Sequence, residues 1–317
     1  TIFTTSHPQV LGSLRTSEDL FAVVGYRYGL ADDAVVLQRM AAIARDAPYI
    51  ERSLAMRSHL MPGTRSGRRL RYRVIARMAG EHHFRRVDVA RAISRGIAER
   101  EDRVWRPSDA QADVEFWVTV IGSELILTIR LSDDRMRHRD YKVAHRPGSL
   151  RPSAAAALAH LSRPDSQDSV LDPFCGAGTI LIERAHLARH RQLIGCDRDL
   201  EALAAARENI GPRYKPLELH RWDAASIPLP DNSVNKIVTN LPWGAAHGSH
   251  EQNRRLYPRV FQEFHRLIAP GGRMVILTAE TRLMSDLVAR GLFRPHEILR
   301  VSLLGASAAI YIAEVSR

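Results

Sequence analysis

From about residue 150 onward the apolar positions fall into a regular rhythm of short buried runs and helical stripes. Ser153–Leu161 is an alanine-rich helical stretch, Val170–Asp172 a short buried run, Gly178–Arg189 helical again and Gln192–Asp197 a second buried run. Leu200–Asn209 predicts a helix that Gly211-Pro212 stops. Leu217–Trp222 and Lys236–Thr239 predict the third and fourth strands. A helix around Leu256–Leu267 is expected to end at Pro270-Gly271-Gly272, before a fifth strand at Met274–Thr278 and a helix over Ser285–Arg290. Two last strands, near Glu297–Leu303 and Ala308–Val315, follow with only a short turn at Gly305 between them. Strand–helix alternation at this spacing predicts a parallel sheet covered on both faces, and the closing pair predicts an antiparallel edge.

Upstream the pattern is mixed and changes character near Arg146-Pro147-Gly148. Leu14–Val24 contains a strand, Asp33–Ala47 an amphipathic helix, Arg71–Met78 an alternating strand and Val87–Arg100 a helix. Val114–Ile121 and Glu124–Leu131 predict a hairpin around Gly122-Ser123. One or two small α+β units are expected there. The chain shows no internal repeat and no low-complexity block. Its 317 residues leave room for two or three domains.

Charge sharpens this picture. The formal net charge is +11, and lysine occurs only at Lys142, Lys215 and Lys236, so arginine carries nearly all of it. Residues 51–100 hold 13 arginines against Glu51, Glu81, Asp88 and Glu99, a net of +9. Arginine grips phosphate through two parallel N–H donors and stacks on bases, so such a segment suits a nucleic-acid backbone. A solvated face on an arginine-rich protein is the plainer reading. Arg65, Arg68, Arg69, Arg71, Arg85 and Arg86 are the candidate RNA contacts. Two cysteines without CxxC spacing predict neither a disulfide framework nor a zinc site. No apolar run reaches membrane-spanning length and no signal peptide opens the chain, so a reduced, cytoplasmic setting without membrane contact is expected. The first residue is Thr1, and the natural start is expected upstream of it.

Candidate chemistry clusters at the ends of the predicted strands. Asp172-Pro173-Phe174-Cys175-Gly176-Ala177-Gly178-Thr179 leaves the first strand of the second half and opens a helix. Its glycines permit a tight turn and close backbone approach to a ligand. The GxGxxG spacing of a dinucleotide site is absent. Asp172 stands where an anion would otherwise approach, which suits a ligand with an ammonium or sulfonium group, and S-adenosylmethionine carries both. Asp197 ends the second strand, where it either accepts ribose hydroxyls or caps the helix beginning near Leu200. Asp223 follows the third, where it either accepts an adenine amino group or closes an Asx-turn. Three acids at the carboxyl ends of successive parallel strands point to one crevice.

Asn240-Leu241-Pro242-Trp243-Gly244 follows the fourth strand. An exocyclic amine on a base is a poor nucleophile because its lone pair is conjugated into the ring. The Asn240 side-chain oxygen and the Leu241 carbonyl offer two acceptors for its N–H groups, which favours pyramidal nitrogen. Pro242 stiffens the backbone, and Trp243 offers a stacking face for a base outside its stack. A plain loop with a core tryptophan is the alternative. Cys175, inside the glycine turn, is expected to be a packed residue rather than a nucleophile. His186 and His190 share a helical face but lack an HExxH arrangement and are expected to be solvated. Glu183 either reaches a cofactor amine through the turn or serves a surface or capping role.

Asp172–Glu183 (DPFCGAGTILIE) with Asn240–Gly244 (NLPWG) resembles the THUMP-containing RNA methyltransferases, and within them the tRNA guanine-N2 methyltransferases of the acceptor stem. His145–Leu158, with Pro147-Gly148-Ser149-Leu150-Arg151-Pro152, is similar to that group's pre-domain motif, which lies against the methionine end of the cofactor. The resemblance implies an α/β, class I (Rossmann-like) methyltransferase domain over 151–317, a linker and pre-domain motif over 132–150, an α+β THUMP domain over 61–131 and a partial ferredoxin-like region over 1–60. It implies S-adenosyl-L-methionine as cofactor, met by Asp172, Gly176, Asp197 and Asp223, with Ser149, Leu150, Phe174, Ala177, Gly178, Thr179, Arg198, Ala224 and Asn240 completing the expected contacts. Asn240, Leu241, Pro242 and Trp243 form the implied catalytic motif, tRNA near its acceptor stem the partner, a monomer the expected state, and no metal is called for. The commoner motif is Asn/Asp-Pro-Pro-Tyr/Phe. Leu241 here replaces the first proline and Trp243 the Tyr/Phe, which keeps the carbonyl but changes the base pocket. Guanine-N2 methylation of ribosomal RNA, adenine-N6 methylation and a non-catalytic RNA-binding role are the alternatives. An NAD-dependent oxidoreductase is disfavoured by the missing GxGxxG and by Asp172.

Overall fold

A computed structural model of the chain describes residues 1–243, 249–303 and 305–315, and these divide into two compact units, Thr1–Arg137 and His138–Arg317. Gly244, the last residue of the Asn240 motif, lies outside the described residues.

The first unit runs β1 (Phe21–Arg27), α1 (Val36–Arg45), α2 (Ile50–Leu60), β2 (Arg69–Ala79), α3 (Arg86–Ala98), β3 (Val104–Pro107), β4 (Val114–Ile121) and β5 (Glu124–Arg130). Its sheet has the order β1-β5-β4-β2-β3, with the expected hairpin between β4 and β5. Both expected N-terminal segments, 1–60 and 61–131, build this one sheet and share one core. β1 pairs antiparallel with β5, and Val24, Met40 and Ile50 pack in the same cluster as Tyr72, Ile93 and Phe116. Neither α2 nor β3 was predicted. α2 buries only Ile50, Ser53 and Leu54, too few for a readable stripe, and β3 is a four-residue strand defined by pairing with β2.

The second unit runs α4 (Pro152–Leu161), β6 (Ser169–Asp172), α5 (Thr179–Leu187), β7 (Gln192–Cys196), α6 (Leu200–Ile210), β8 (Leu217–His220), β9 (Val234–Asn240), α7 (His250–Leu267), β10 (Ile268–Thr278), α8 (Thr281–Ala289), β11 (Glu297–Leu303) and β12 (Ala306–Glu314). The sheet order is β11-β12-β10-β9-β6-β7-β8. β10 through β8 are parallel, and β12 and β11 close the edge antiparallel, as the sequence pattern requires. Alternate strand residues feed two cores. Leu171, Ile237 and Ile276 pack with α7 and α8, whereas Val170, Val238 and Val275 pack with α4, α5 and α6.

Several helix ends differ from expectation; α8, for one, begins at Thr281 rather than Ser285. α5 stops at Leu187 because Ala188 is extended, so His186 and His190 do not share a helical face. α7 starts six residues before Leu256, at His250, where Ser249 and Gln252 form a reciprocal capping box. It ends at Leu267, and Ile268 enters β10 directly. The Pro270–Gly272 stretch therefore falls inside β10, where the register with β9 shifts between Ile268 and Arg273.

The chain steps from β6 outward to β7 and β8, then returns to the other side of β6 to form β9. That reversal leaves a crevice at the carboxyl ends of β6 and β9, where helices diverge to opposite faces. Asp172 ends the first of these strands and Asn240 the second.

Candidate active site

A cleft of about 920 Å³ opens at these strand ends. Asp172, Asp197, Asp223 and Asn240 all line it, so the three expected acids and the amide meet in one cavity. The turn contributes Phe174, Gly176, Ala177 and Thr179, the approach segment Ser149 and Leu150, and the other walls Arg198, Ala224, Leu241 and Pro242. Gly178 and Trp243 are not part of the wall. Gly178 caps α5 with φ +77, and a Cβ there would meet Ile210 at 3.2 Å, so its work is packing against α6.

Asp172 is fully buried. Its Oδ1 accepts from Thr239 Oγ1 at 2.8 Å and from the Phe174 amide at 3.3 Å, while its Oδ2 has no partner. Burial pushes its pKa up to about 7 against the lowering effect of those two hydrogen bonds, with Asp197 adding a further upward push. Thr179 Oγ1 is likewise buried without a partner. Buried polar atoms are ordinarily hydrogen-bonded, so these two, on residues of one cavity wall, are groups that a ligand would satisfy. Their chemistry, one acceptor and one hydroxyl at a helix N-terminus, fits the amino acid end of S-adenosylmethionine.

Asp197 is not the cap of α6. That role falls to Asp199, whose side chain accepts from the Glu201 amide at 2.8 Å. Asp197 instead braces the glycine turn, accepting from the Gly176 amide at 3.0 Å on one oxygen and the Asp199 amide at 3.0 Å on the other. Asp223 does close an Asx-turn, accepting from the Ala225 amide at 3.0 Å, and it is exposed at the cleft edge.

The Asn240 motif is tied down on both sides. Trp243 Nε1 donates to Asn240 Oδ1 at 2.8 Å. Leu241 is buried and its amide donates to the Leu277 carbonyl at 3.0 Å. The Tyr257 hydroxyl, buried beneath the motif, donates to the Pro242 carbonyl at 2.9 Å and pairs with Thr278 Oγ1 at 2.8 Å.

The approach segment is clamped to the turn by Asn209, a fully buried residue that the sequence left unremarked. Its Oδ1 accepts from the Ala144 amide at 2.9 Å, and its Nδ2 donates to the Ala144 carbonyl at 3.2 Å and the Ala177 carbonyl at 3.0 Å. Lys142 Nζ donates to the Leu150 carbonyl at 2.6 Å, and burial lowers its pKa to about 8. Arg146 pairs with Asp199 and Glu201 across the start of α6. Glu183 is not a surface residue. It is fully buried and accepts from the Tyr141 hydroxyl at 2.6 Å, a further tether on the approach segment. Cys175 is packed in the wall, and burial pushes its thiol up, away from nucleophilic thiolate. His186 Nε2 pairs with the Tyr214 hydroxyl at 3.1 Å.

Sequence reasoning missed the α7 face of the cleft: Gln252, Asn253, Arg255, Leu256 and Arg259. The capping box at Ser249 was the available signal. Of the six candidate arginines in the first unit, Arg65, Arg68, Arg69, Arg85 and Arg86 are exposed. Arg71 is committed to Asp113, with Nη2 at 3.0 Å and Nε at 3.2 Å from its carboxylate, and to Gln111 at 2.5 Å, while Arg85 is engaged with Asp88 at the start of α3.

No described helix is long and apolar enough to cross a membrane. Among the described residues no group of three or more His, Cys, Asp or Glu side chains is gathered as a metal would require.

Over residues 139–306 the chain matches the UPF0020 family, described as RMKL-like, methyltransferase domain. A mouse protein named tRNA (guanine(6)-N(2))-methyltransferase THUMP3 is 30% identical over 260 residues, covering 76% of this chain and 51% of the relative. The chain therefore spans about half the length of that relative. A Thermus thermophilus protein named tRNA (guanine(6)-N2)-methyltransferase is 32% identical over 228 residues, 71% of this chain and 67% of the relative. The crystal structure of TrmN from Thermus thermophilus matches with a TM-score of 0.79 at 26% identity, covering 99% of this chain and 87% of that one.

Proposed function

This chain belongs to the UPF0020 family, with an RMKL-like methyltransferase domain of Rossmann-like fold, and from that premise we propose that it methylates the exocyclic N2 amine of a guanine in tRNA. The observation that carries the reading is the meeting of Asp172 and Asn240 in one cleft at the β6–β9 switch point. One residue suits a cationic cofactor and the other a base amine. The names of the mouse and Thermus relatives supply guanine and tRNA.

S-adenosylmethionine, when bound, supplies an electrophilic methyl group open to direct attack by a nitrogen lone pair. Asp172 and Thr179 would hold its amino acid end, Asp197 its ribose hydroxyls and Asp223 its adenine. The Asn240 Oδ1 lone pair left free beside Trp243, together with the Leu241 carbonyl, accepts the two N–H groups of the base amine. That withdraws the nitrogen from ring conjugation and aims its lone pair. Both acceptors are fixed before substrate arrives, by Trp243 on one side and by the Leu277 and Tyr257 contacts on the other, so little reorganisation is left for the reaction. Trp243 acts through Asn240, whose oxygen its indole N–H holds. The first unit, whose one sheet takes in both 1–60 and 61–131, grips the RNA as a THUMP-like module with Arg65, Arg68, Arg69, Arg85 and Arg86.

The test is mass spectrometry of nucleosides digested from unmodified tRNA after incubation with labelled donor. N2-methylguanosine is expected. N6-methyladenosine, or no methylated nucleoside from folded protein that binds S-adenosylhomocysteine, overturns the reading.

A further inference from the structure

The acids of the cleft lie on one side. Asp172, Asp197, Asp199 and Asp223 line it along the β6, β7 and β8 side, together with Arg146 and Arg198, whereas α7 contributes Arg255 and Arg259 and no acid. α7 is built to present them. Its buried stripe, Asn253, Tyr257, Val260, Phe261 and Phe264, fixes the helix against the sheet. The adjacent stripe, Gln252, Arg255, Leu256 and Arg259, follows the i, i+3, i+4, i+7 spacing of one helical face and turns into the cavity. The two guanidinium groups start about 6 Å apart along the helix axis, four residues at ~1.5 Å each. That separation is comparable to neighbouring phosphates on a single strand.

Neither arginine is needed for the fold. Arg259 is exposed and makes no hydrogen bond or ion pair among the described residues. Among the described residues Arg255 pairs with Glu251 alone, at 3.3 Å, and its side chain is 83% exposed, so that pairing is weak and exchangeable. The opposite wall sets four acids beside Arg198 and Arg146, and Arg146 is already paired with Asp199 and Glu201. A nucleotide whose base amine reaches Asn240 and Leu241 therefore finds its acid-free cationic wall along α7.

We propose that Arg255 and Arg259 form a phosphate clamp that holds the RNA backbone beside the target nucleotide, a second RNA contact separate from the arginines of the first unit. This rests on the RNA methyltransferase reading. The clamp acts on substrate and not on cofactor, and each arginine contributes its own counterion release.

The test uses the full chain with Arg255→Gln, Arg259→Gln, the double variant, and Arg290→Gln as a control on exposed surface. Four quantities are read: KM and kcat for an unmodified tRNA transcript, tRNA affinity by fluorescence anisotropy, its salt dependence, and S-adenosylhomocysteine affinity by calorimetry. Each single substitution is expected to raise KM and the tRNA Kd several-fold, and the double about tenfold or more, with the log–log salt slope shallower by roughly 1 per arginine. Cofactor affinity and the control should stay within twofold of the unsubstituted chain. A double variant with unchanged tRNA affinity and salt slope overturns the clamp. If the unsubstituted chain yields no methylated nucleoside, the enzymatic reading fails on its own, and anisotropy still decides whether these arginines hold RNA phosphates.

Discussion

Trp243 Nε1 donates its hydrogen to Asn240 Oδ1 across 2.8 Å, so the residue expected to stack on the base also fixes the amide that must face it. An asparagine can turn either its oxygen or its NH₂ toward a ligand, and only the oxygen can accept from a base amine. The indole N–H selects that orientation. Phenylalanine or tyrosine, the commoner residue in the motif the chain resembles, has no ring N–H with which to do so. Trp243→Phe is therefore expected to keep an aromatic face yet lower kcat roughly three- to tenfold, the worth of one net hydrogen bond. S-adenosylhomocysteine affinity should be unchanged. An Asn240→Asp background, where both oxygens accept, should be indifferent to the same change. Equal losses in both backgrounds would show that the indole acts by packing alone.

Asn240→Ala removes one of the two acceptors and should cost far more than Trp243→Phe, about a hundredfold or greater in kcat. Calorimetry should show cofactor binding within a few-fold of the unsubstituted chain, because Asp172, Thr179 and the glycine turn are untouched. Retained turnover would remove Asn240 from the chemistry.

Asp172 makes the site pH-sensitive. Burial raises its folded-state pKa to about 7, above the ordinary carboxylate value near 3.8. The protonated form is thus favoured by folding. This group's contribution to stability is complete below about 3.8 and is lost as pH rises through 7. A cationic ligand beside the free Oδ2 favours the ionised form instead, so binding must release a proton below that pKa. The affinity for S-adenosylmethionine is expected to tighten about tenfold between pH 6 and pH 8. Asp172→Asn should bind weakly and lose that dependence. A flat profile in the unsubstituted chain would mean that the carboxylate does not face the cationic group.

Much of the second unit was readable because a parallel sheet buried on both faces writes itself as short apolar runs, each followed by a helix. The strand-end acids then follow from topology: Asp172 and Asp197 could be placed from their positions after β6 and β7 alone. What stayed hidden depends on contacts distant in sequence. Asn209 sits in the last turn of α6, where a polar residue is ordinary, and its role exists only because Ala144 folds back over it. The Arg255 and Arg259 face was concealed by reading α7 from Leu256, since residues 250–255 are polar and show their helical period only once Ser249 is seen as a cap. In the first unit, the partnership of Arg71 with Asp113 spans 42 residues and no local pattern announces it.

The Asn209 clamp gives a test that separates architecture from chemistry. Asn209→Ala strands the Ala144 amide and the Ala144 and Ala177 carbonyls, with a buried cavity in place of their partner. A loss of about 2–3 kcal/mol in chemical denaturation is expected. The approach segment and the turn are joined through this residue, so cofactor affinity should fall with stability while the tRNA Kd is spared. Preserved cofactor affinity in the destabilised variant would show that the clamp serves folding only.

Gly96 sets two effects against each other in the first unit. It lies inside α3, where replacing glycine by alanine ordinarily stabilises a helix by about 1 kcal/mol. Here α1 crosses so closely that a Cβ at this position would stand 2.0 Å from the Ala41 carbonyl oxygen and 3.0 Å from the Ala44 Cβ. The obstacle is backbone, which cannot rotate away as a side chain would, so the two helices must separate. Separating them opens the core around Met40, Ala44 and Ile93. Overpacking of this kind costs about 1–3 kcal/mol and loosens the packing it disturbs, which outweighs the gain in propensity. Gly96→Ala should lower the unfolding midpoint and weaken tRNA binding while leaving S-adenosylhomocysteine affinity intact, since the cofactor cleft is built wholly from the second unit. An unchanged or raised midpoint would mean that α1 and α3 are free to move apart.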